Sequence, residues 1–494
     1  GICTPGSTQN CYTGPAGTPG VGICAPGTST CASDGLTYGP CVGDTTPAAE
    51  VCGDGIDQDC NGADVLCSQG FLWAKRYGDA TDQRALAVTT DAADNVLVTG
   101  RAVGTVDYGG GPLLAGSPQD IFLVKLDPGG GHLWSKTFGK AGKSEGDDLA
   151  TDSLGNVVVV GRVGGIVSFG GAQLASAGGN DIVVAKLNPS GDHLWSKRFG
   201  DAAEQAALSV AIKSTGNVVV AGWMVGSFTF GGAPVTSAGA RDIFLVELDS
   251  SGNYVRSASY GNASDDQAND VAVDGQNNVI VVGSVQGAGD FGGGSLPTGG
   301  GIDGFIAKYD GAGNFLWSKQ FGDAADQGAI GVGTDAMGNI YVVGNFKGTL
   351  DLGAGPLVSA GEFDVFLAKL SPNGSVIWNA RYGDGASQNG SGISVAPQGN
   401  LSIGGWFAGS LAIGGTTLVS AGATDVFTTK LDTTGGPIWS KSAGDGLDQL
   451  SNDVALDSGG NTITVGDFGG KVDFGGGPLV CAGSRDAFVA KLSP

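Results

Sequence analysis

Two histidines serve the whole chain of 494 residues, and Lys plus Arg reach only 25 against 48 Asp plus Glu. His132 and His193 stand 61 residues apart in matching contexts, so they are one repeated position rather than two halves of a convergent site. No Ser-His-Asp arrangement, nucleophile elbow or phosphate loop can be built from them, and the chain is read as not an enzyme. The shortage of basic residues leaves a net charge of −23, which repels phosphate backbones and anionic lipid headgroups alike. Nucleic acid and membrane surfaces are excluded as partners on that ground. No run of about 18 apolar residues occurs, so no segment reads as a membrane-inserting helix.

What the chain has in excess is glycine, 93 residues, alongside only 15% charged residues. That is the profile of a secreted, turn-rich, all-β protein. Eight of nine cysteines (Cys3, Cys11, Cys24, Cys31, Cys41, Cys52, Cys60 and Cys67) fall in the first 67 residues. Such density implies disulfides and an oxidising compartment, hence a secreted, extracellular or cell-surface location. Residue 1 is Gly, with neither an initiator Met nor a signal-peptide core, so a mature, processed chain is expected. Cys481 stands alone, where other repeats have Ser. Three readings are open for it: a buried small residue, a partner of an N-terminal cysteine, or an intermolecular disulfide.

From Ser68 to Pro494 the chain is seven copies of a 61-residue unit. Trp73, Trp134, Trp195, Trp317, Trp378 and Trp439 keep the spacing, with Arg256 in the one remaining place. Complete sets run from Asn95 to Asn461, from Gly100 to Gly466 and from Asp120 to Asp486. Two domains follow, a Cys-rich module over 1–67 and the repeats over 68–494.

Each unit reads as four main strands, with a Gly-rich excursion adding a small hairpin. Runs such as "VVVV" (157–160) lack polar alternation and must be buried on both faces. The Trp strands carry Lys136, Lys197, Arg198, Lys319 and Lys441, which suits an exposed outer edge. Inner buried strands and outer charged strands fit radial four-stranded blades, so the fold class is an all-β, seven-bladed β-propeller. The segment 71–77 is an outer-type strand without a preceding blade, and 486–492 ends without one. The first strand is therefore expected to complete the last blade and close the ring. Arg256 is read as local drift, with Tyr254 compensating for the missing Trp.

The repeated Gly-Asn turn, apolar run, "DIFLVKLD" and Trp strand resemble the SBBP family, named for the seven-bladed β-propeller. That resemblance implies the fold and an extracellular setting, not an activity. "CYTGPAGTPGVGICAPGTSTC" and "YGPCVGDTTPAAEVCGDGIDQDCNGAD" resemble the Cys-rich, MopE-like metal-binding modules of secreted bacterial proteins. Asn61 stands where that group has Asp, which keeps an oxygen ligand and removes a charge.

Asp57, Asp59 and Asn61 fit the opening of a calcium loop, with Gly62 at the turn and Asp54 or Asp64 replacing the missing bidentate Glu. The alternative is a disulfide-held turn whose aspartates bond nearby N–H groups. Both stand, with calcium as the candidate cofactor. Copper is discounted, because the module has no His or Met. A second acidic motif (GDATDQ and its relatives) places Asp79, Asp201, Asp323, Asp384 and Asp445 on one loop face, as a ring for cations or as backbone caps at equivalent bends. Trp223 and Trp406 are read as packing between blades.

The first 67 residues have too few apolar side chains to fold by core burial, so disulfides, with or without calcium, must hold them. The functional expectation is a non-catalytic structural or adhesive protein, self-assembling head to tail, with the Cys-rich segment as contact element. The alternative is a monomeric module binding an extracellular protein or glycan on its loop face.

Overall fold

The computed structural model describes residues 3–47, 57, 60, 62, 70–116 and 118–494. The chain divides into two compact units, Gly1–Leu72 and Trp73–Pro494. The expected boundary at Cys67/Ser68 lies outside the described residues.

The N-terminal unit has little regular structure: strand Thr8–Cys11 pairs antiparallel with Gly27–Thr30, Thr8 opposite Thr30. Among its described residues the buried hydrophobic positions are Cys24, Cys31 and Cys60, all half-cystines. Sulfur takes the place of an aliphatic core. Cys3–Cys31, Cys11–Cys41 and Cys24–Cys60 are bonded, closing loops of 28, 30 and 36 residues, and each such closure removes freedom from the unfolded chain.

The second unit is an all-β, propeller-like fold, without a helix among the described residues. Its strands form antiparallel groups of four. Gln83–Thr90, Val96–Ala102, Pro118–Leu126 and His132–Phe138 make the first, and the next groups open at Ala141, Gln205, Asp266, Gln327, Gln388 and Gln449. In the group that opens at Gln449, Thr462–Phe468 and Asp486–Leu492 follow, and Phe71–Tyr77 lies outermost. Five of the Gly-rich excursions form separate short hairpins, such as Thr105–Asp107 with Pro112–Leu114.

The second strand of each group explains the uninterrupted apolar runs. Val158 and Val160 pack with Val218 and Val220 of the neighbouring sheet, all fully buried. Each such valine contributes about 1.5–3 kcal/mol relative to exposure.

The repeated glycine on that strand has a steric cause. The first strand of every group bulges, and the bulge aims a carbonyl at the glycine opposite. A Cβ on Gly100 would sit 2.0 Å from Arg84 O, and one on Gly344 2.0 Å from Gly328 O. No side chain fits there.

Neighbouring groups are linked by side chain to backbone bonds. Asp148 Oδ2 accepts from Val210 N at 2.7 Å, Asp270 Oδ2 from Val332 N at 2.7 Å, and Asp453 Oδ2 from Val88 N at 2.9 Å. Trp73 Nε1 and Lys491 Nζ both donate to Pro128 O at 3.0 Å. The last-numbered group thus bonds directly to the first.

One expectation is corrected here. Tyr254 does not compensate for the missing Trp: its ring lies against Gly231 and Gly232, where His132 in the first repeat lies against Gly109 and Gly110. Arg256 itself takes over the Trp role, donating through Nη2 to Gly311 O at 2.9 Å, as Trp195 Nε1 donates to Ser250 O at 3.0 Å.

Candidate functional site

The N-terminal acidic stretch is visible only in part. Asp54, Asp59, Asn61 and Asp64 lie outside the described residues, as do Cys52 and Cys67. Asp57 Oδ2 accepts from Gly62 N at 2.9 Å, and Asp57 O accepts from Ile23 N at 3.1 Å, tying this turn to the loop before Cys24. Among the described residues no group of three or more His, Cys, Asp or Glu is placed to hold a metal ion.

The loop-face aspartates are engaged by backbone. Asp79 Oδ1 accepts from Thr81 N, Thr81 Oγ1 and Gln83 Nε2, while Oδ2 accepts from Thr105 N at 2.8 Å. Partial burial alone would raise its pKa, but these hydrogen bonds outweigh it and hold Asp79 down at about 2. Asp201, Asp323, Asp384 and Asp445 repeat the pattern, accepting from the Gln of their own loop and from the hairpin that follows. Each carboxylate fixes its loop to its hairpin.

The two histidines stay apart. His132 Nε2 and His193 Nε2 each meet a serine hydroxyl three residues on, at 3.0 Å. Cys481 is half-buried and, among the described residues, in no disulfide, its thiol directed at Gly483 O.

Three aspartates that the sequence reading passed over line one cavity. Asp148, Asp270 and Asp453 sit at the bulges of their first strands and reach the same space, of about 390 Å³, together with Asp147, Ser209 and Asn269. Burial, then the charge of Asp270, pushes Asp148 up to about 7, and burial pushes Asp270 up to about 6. Burial likewise carries Asp453 well above the usual carboxylate range. The cavity wall therefore binds protons near neutral pH and carries part of its formal negative charge.

A second set was also missed, a buried lysine–carboxylate pair in most repeats. Lys125 meets Asp91 at 2.8 Å, Lys186 meets Asp152 at 2.9 Å, Lys308 meets Asp274 at 3.0 Å and Lys491 meets Asp457 at 2.8 Å. Lys369 and Asp335 are farther apart, at 3.7 Å. Burial opposes the charge of Asp91, yet bonds from Lys125 and Asn95 hold its pKa below the usual range. The third repeat has Lys213 facing Glu247, and the sixth has Ala396 below Lys430. The signal for these pairs was present: acid and base exchange in the same copy.

On the same face as the acidic loops, Trp223 is 7% exposed, and the Arg241 guanidinium lies over its ring at 4.4 Å. It is a packing residue with a cationic cover.

No family model matches the chain. It is similar to a WD repeat-containing protein of Acanthamoeba polyphaga mimivirus, 23% identical over 82% of this chain and 36% of that protein. It is also similar to the regulatory protein FlaEY of Caulobacter vibrioides, 28% identical over 37% of this chain and 19% of that one. The chain thus spans well under half the length of either relative. Among solved structures it is similar to the Pan2 WD40 domain of Neurospora crassa, with a TM-score of 0.44 and 11% identity over 83% of this chain and 89% of that one. The β-propeller domain of the Trilobed protease from Pyrococcus furiosus gives 0.41 and 8% over 86% and 94%.

Proposed function

We propose that the chain is a non-catalytic extracellular structural protein that assembles with copies of itself. In this reading it is a seven-bladed β-propeller of the SBBP type, closed by the strand at 71–77, and its MopE-like N-terminal unit is the contact element. Calcium at Asp54, Asp57, Asp59, Asn61 and Asp64 would brace that unit.

The observation that carries the reading is the outer edge of the propeller. Each outermost strand exposes one aliphatic side chain beside its Trp or Arg: Leu72, Leu133, Leu194, Val255, Leu316, Ile377 and Ile438, between 43% and 51% exposed. A monomer gains nothing from keeping an apolar residue in water at every equivalent edge. A second copy that adds a strand there gains backbone hydrogen bonds and covers the aliphatic groups. The N-terminal unit supplies a suitable strand, Thr8–Cys11, exposed along three of its four residues and paired with one neighbour. Its disulfides support an oxidising, extracellular setting.

The test is light scattering on the oxidised full chain and on a Leu194→Lys/Leu316→Lys variant. The reading expects large assemblies for the first and a shift toward monomer for the second. Monomer for both sinks it.

A second reading, a monomeric binding module, is favoured by the acidic cavity around Asp148, Asp270 and Asp453, which would admit a small cationic ligand.

A further inference from the structure

The loop before each inner strand has an acid at one place in five repeats, Asp82, Glu204, Asp265, Asp326 and Asp448, with Ser387 in a sixth. In the second repeat that place is Lys143, and Lys140 replaces the leading aspartate. The charge is reversed on a face that is otherwise acidic.

The backbone changes at the same point. Strands Ala141–Thr151 and Val157–Val167 run 11 residues each, whereas Gln205–Ile212 and Val218–Met224 run 8 and 7. The extension pairs Lys143 with Gly164 on one side and with Gln119 of the preceding group on the other. Strand pairing on both sides fixes Lys143, which drift in a free loop would not require.

Lys143 opens onto a groove of two chambers. The first, about 240 Å³, is lined by Arg101, Lys143, Glu145, Arg162 and Asn180 among others. The second, about 470 Å³, shares Arg162 and Asn180 and continues to Glu204, Trp223, Arg241 and Asp265. Arg162 is held by Asp147 at 3.0 Å and Glu145 at 3.4 Å, so its charge is neutralised. Lys143 and Arg241 are exposed, and among the described residues neither has a carboxylate within ion-pair distance. Arg101, like Arg162, has carboxylates beside it, Asp82 at 3.7 Å and Glu145 at 3.9 Å. Two exposed cations without a paired carboxylate thus line one groove on a molecule of net charge −23.

We propose that this groove binds an acidic oligosaccharide. Its carboxylate or sulfate groups meet Lys143 and Arg241, and its hydroxyls donate to Glu204 and Asp265 and accept from Asn180. The carboxylates set between the cations select the ligand class: they repel a polymer charged at every unit and match one that alternates anions with hydroxyl donors. This holds for a monomer as well as for an assembly, so it stands apart from the self-association above.

The test is calorimetric titration of the oxidised full chain with an oligosaccharide of alternating uronate and neutral sugar units (a hyaluronan fragment) and with a sulfated oligosaccharide of the same alternation, against a neutral oligosaccharide and poly-glutamate. Either acidic sugar, or both, is expected to bind, more weakly as salt rises, and the two arms separate uronate from sulfate recognition. Lys143→Asp restores the acid common to the other repeats and should leave the fold intact, and Arg241→Ala removes an exposed side chain. Each is expected to weaken binding about tenfold or more at an unchanged unfolding temperature. Absence of binding by both acidic sugars, affinity unchanged by both substitutions, equal binding of the neutral sugar, or equal binding of poly-glutamate overturns the proposal.

Discussion

Lys213 Nζ lies 2.8 Å from Glu247 Oε2 in the third repeat, in the place where Asp91 and Lys125 meet at 2.8 Å in the first, with acid and base exchanged. Arg256, in the place of a Trp, bonds the same Glu247 oxygen. The three changes belong together: once the acid stands on the third strand, the neighbouring outer position can hold a cation that also makes the bond of the Trp indole. Lys213 and Glu247 are almost wholly buried, so removing one partner leaves a charge in a dry place.

Glu247→Lys alone should therefore cost about 3–5 kcal/mol, since it sets three cations against one another. Adding Lys213→Asp and Arg256→Trp should recover most of it, because the triple variant is the pattern of the other repeats. Urea unfolding of the single and triple variants checks this. Equal loss in both would mean that the sites are independent.

The sixth repeat offers the converse. Lys430 is buried, has Ala396 where five of the other copies have Asp, and donates to Gly460 O; burial lowers its pKa. Ala396→Asp should stabilise the protein by about 1–2 kcal/mol at neutral pH by giving that charge a partner. Thermal unfolding reads the gain, and an unchanged midpoint would count against it.

The fourth sheet carries a pH-dependent weakness. A Cβ on Gly261 would meet Asp242 Oδ1 at 2.6 Å and Asp266 Oδ2 at 3.0 Å, so two buried carboxyls face one point. Burial, then the charges of Asp242 and Asp265, pushes Asp266 up to about 6 against backbone N–H bonds from Asn262 and Gln286. Arg241, next in sequence to Asp242, lies over Trp223 and pairs with neither. The folded state thus holds this proton more tightly than the unfolded chain, whose carboxyl titrates near 4, roughly. The penalty is absent below that pH and grows as pH rises through about 6. Asp266→Gln, the residue of most other repeats, should raise stability by about 2 kcal/mol at pH 7 and by little at pH 4. Denaturation at both pH values checks the sign.

The N-terminal unit should depend on its sulfur. Removing a disulfide from a unit this small costs about 2–5 kcal/mol, and here three join parts of one core-poor segment. Mild reduction should open Gly1–Leu72 to protease while Trp73–Pro494 stays resistant. Mass spectrometry of the fragments reads this directly, and simultaneous cleavage of both units would contradict it.

The strand pattern was legible because each position recurs at one spacing, so a buried Val and an outer Lys average over copies. The steric demand behind Gly100 and its equivalents was not, since a bulge carbonyl leaves no mark in the opposite strand beyond the glycine itself. Arg256 was misread because it was compared with Trp alone; read with Lys213 and Glu247, it is one member of a linked exchange. Asp148, Asp270 and Asp453 escaped notice because the same place holds Ala87, Ser209, Gly331 and Gly392 in the other copies. A site lined by unequal residues has no period to betray it. The basic loop at Lys140 and Lys143 was visible only as an omission from the acidic series.

Self-assembly is the central claim, and electron microscopy of the oxidised, secreted protein tests it most directly, with and without a calcium chelator. The account predicts regular filaments, and their loss on chelation would place Asp57 and its neighbours in the contact. Isolated single particles under both conditions would contradict it.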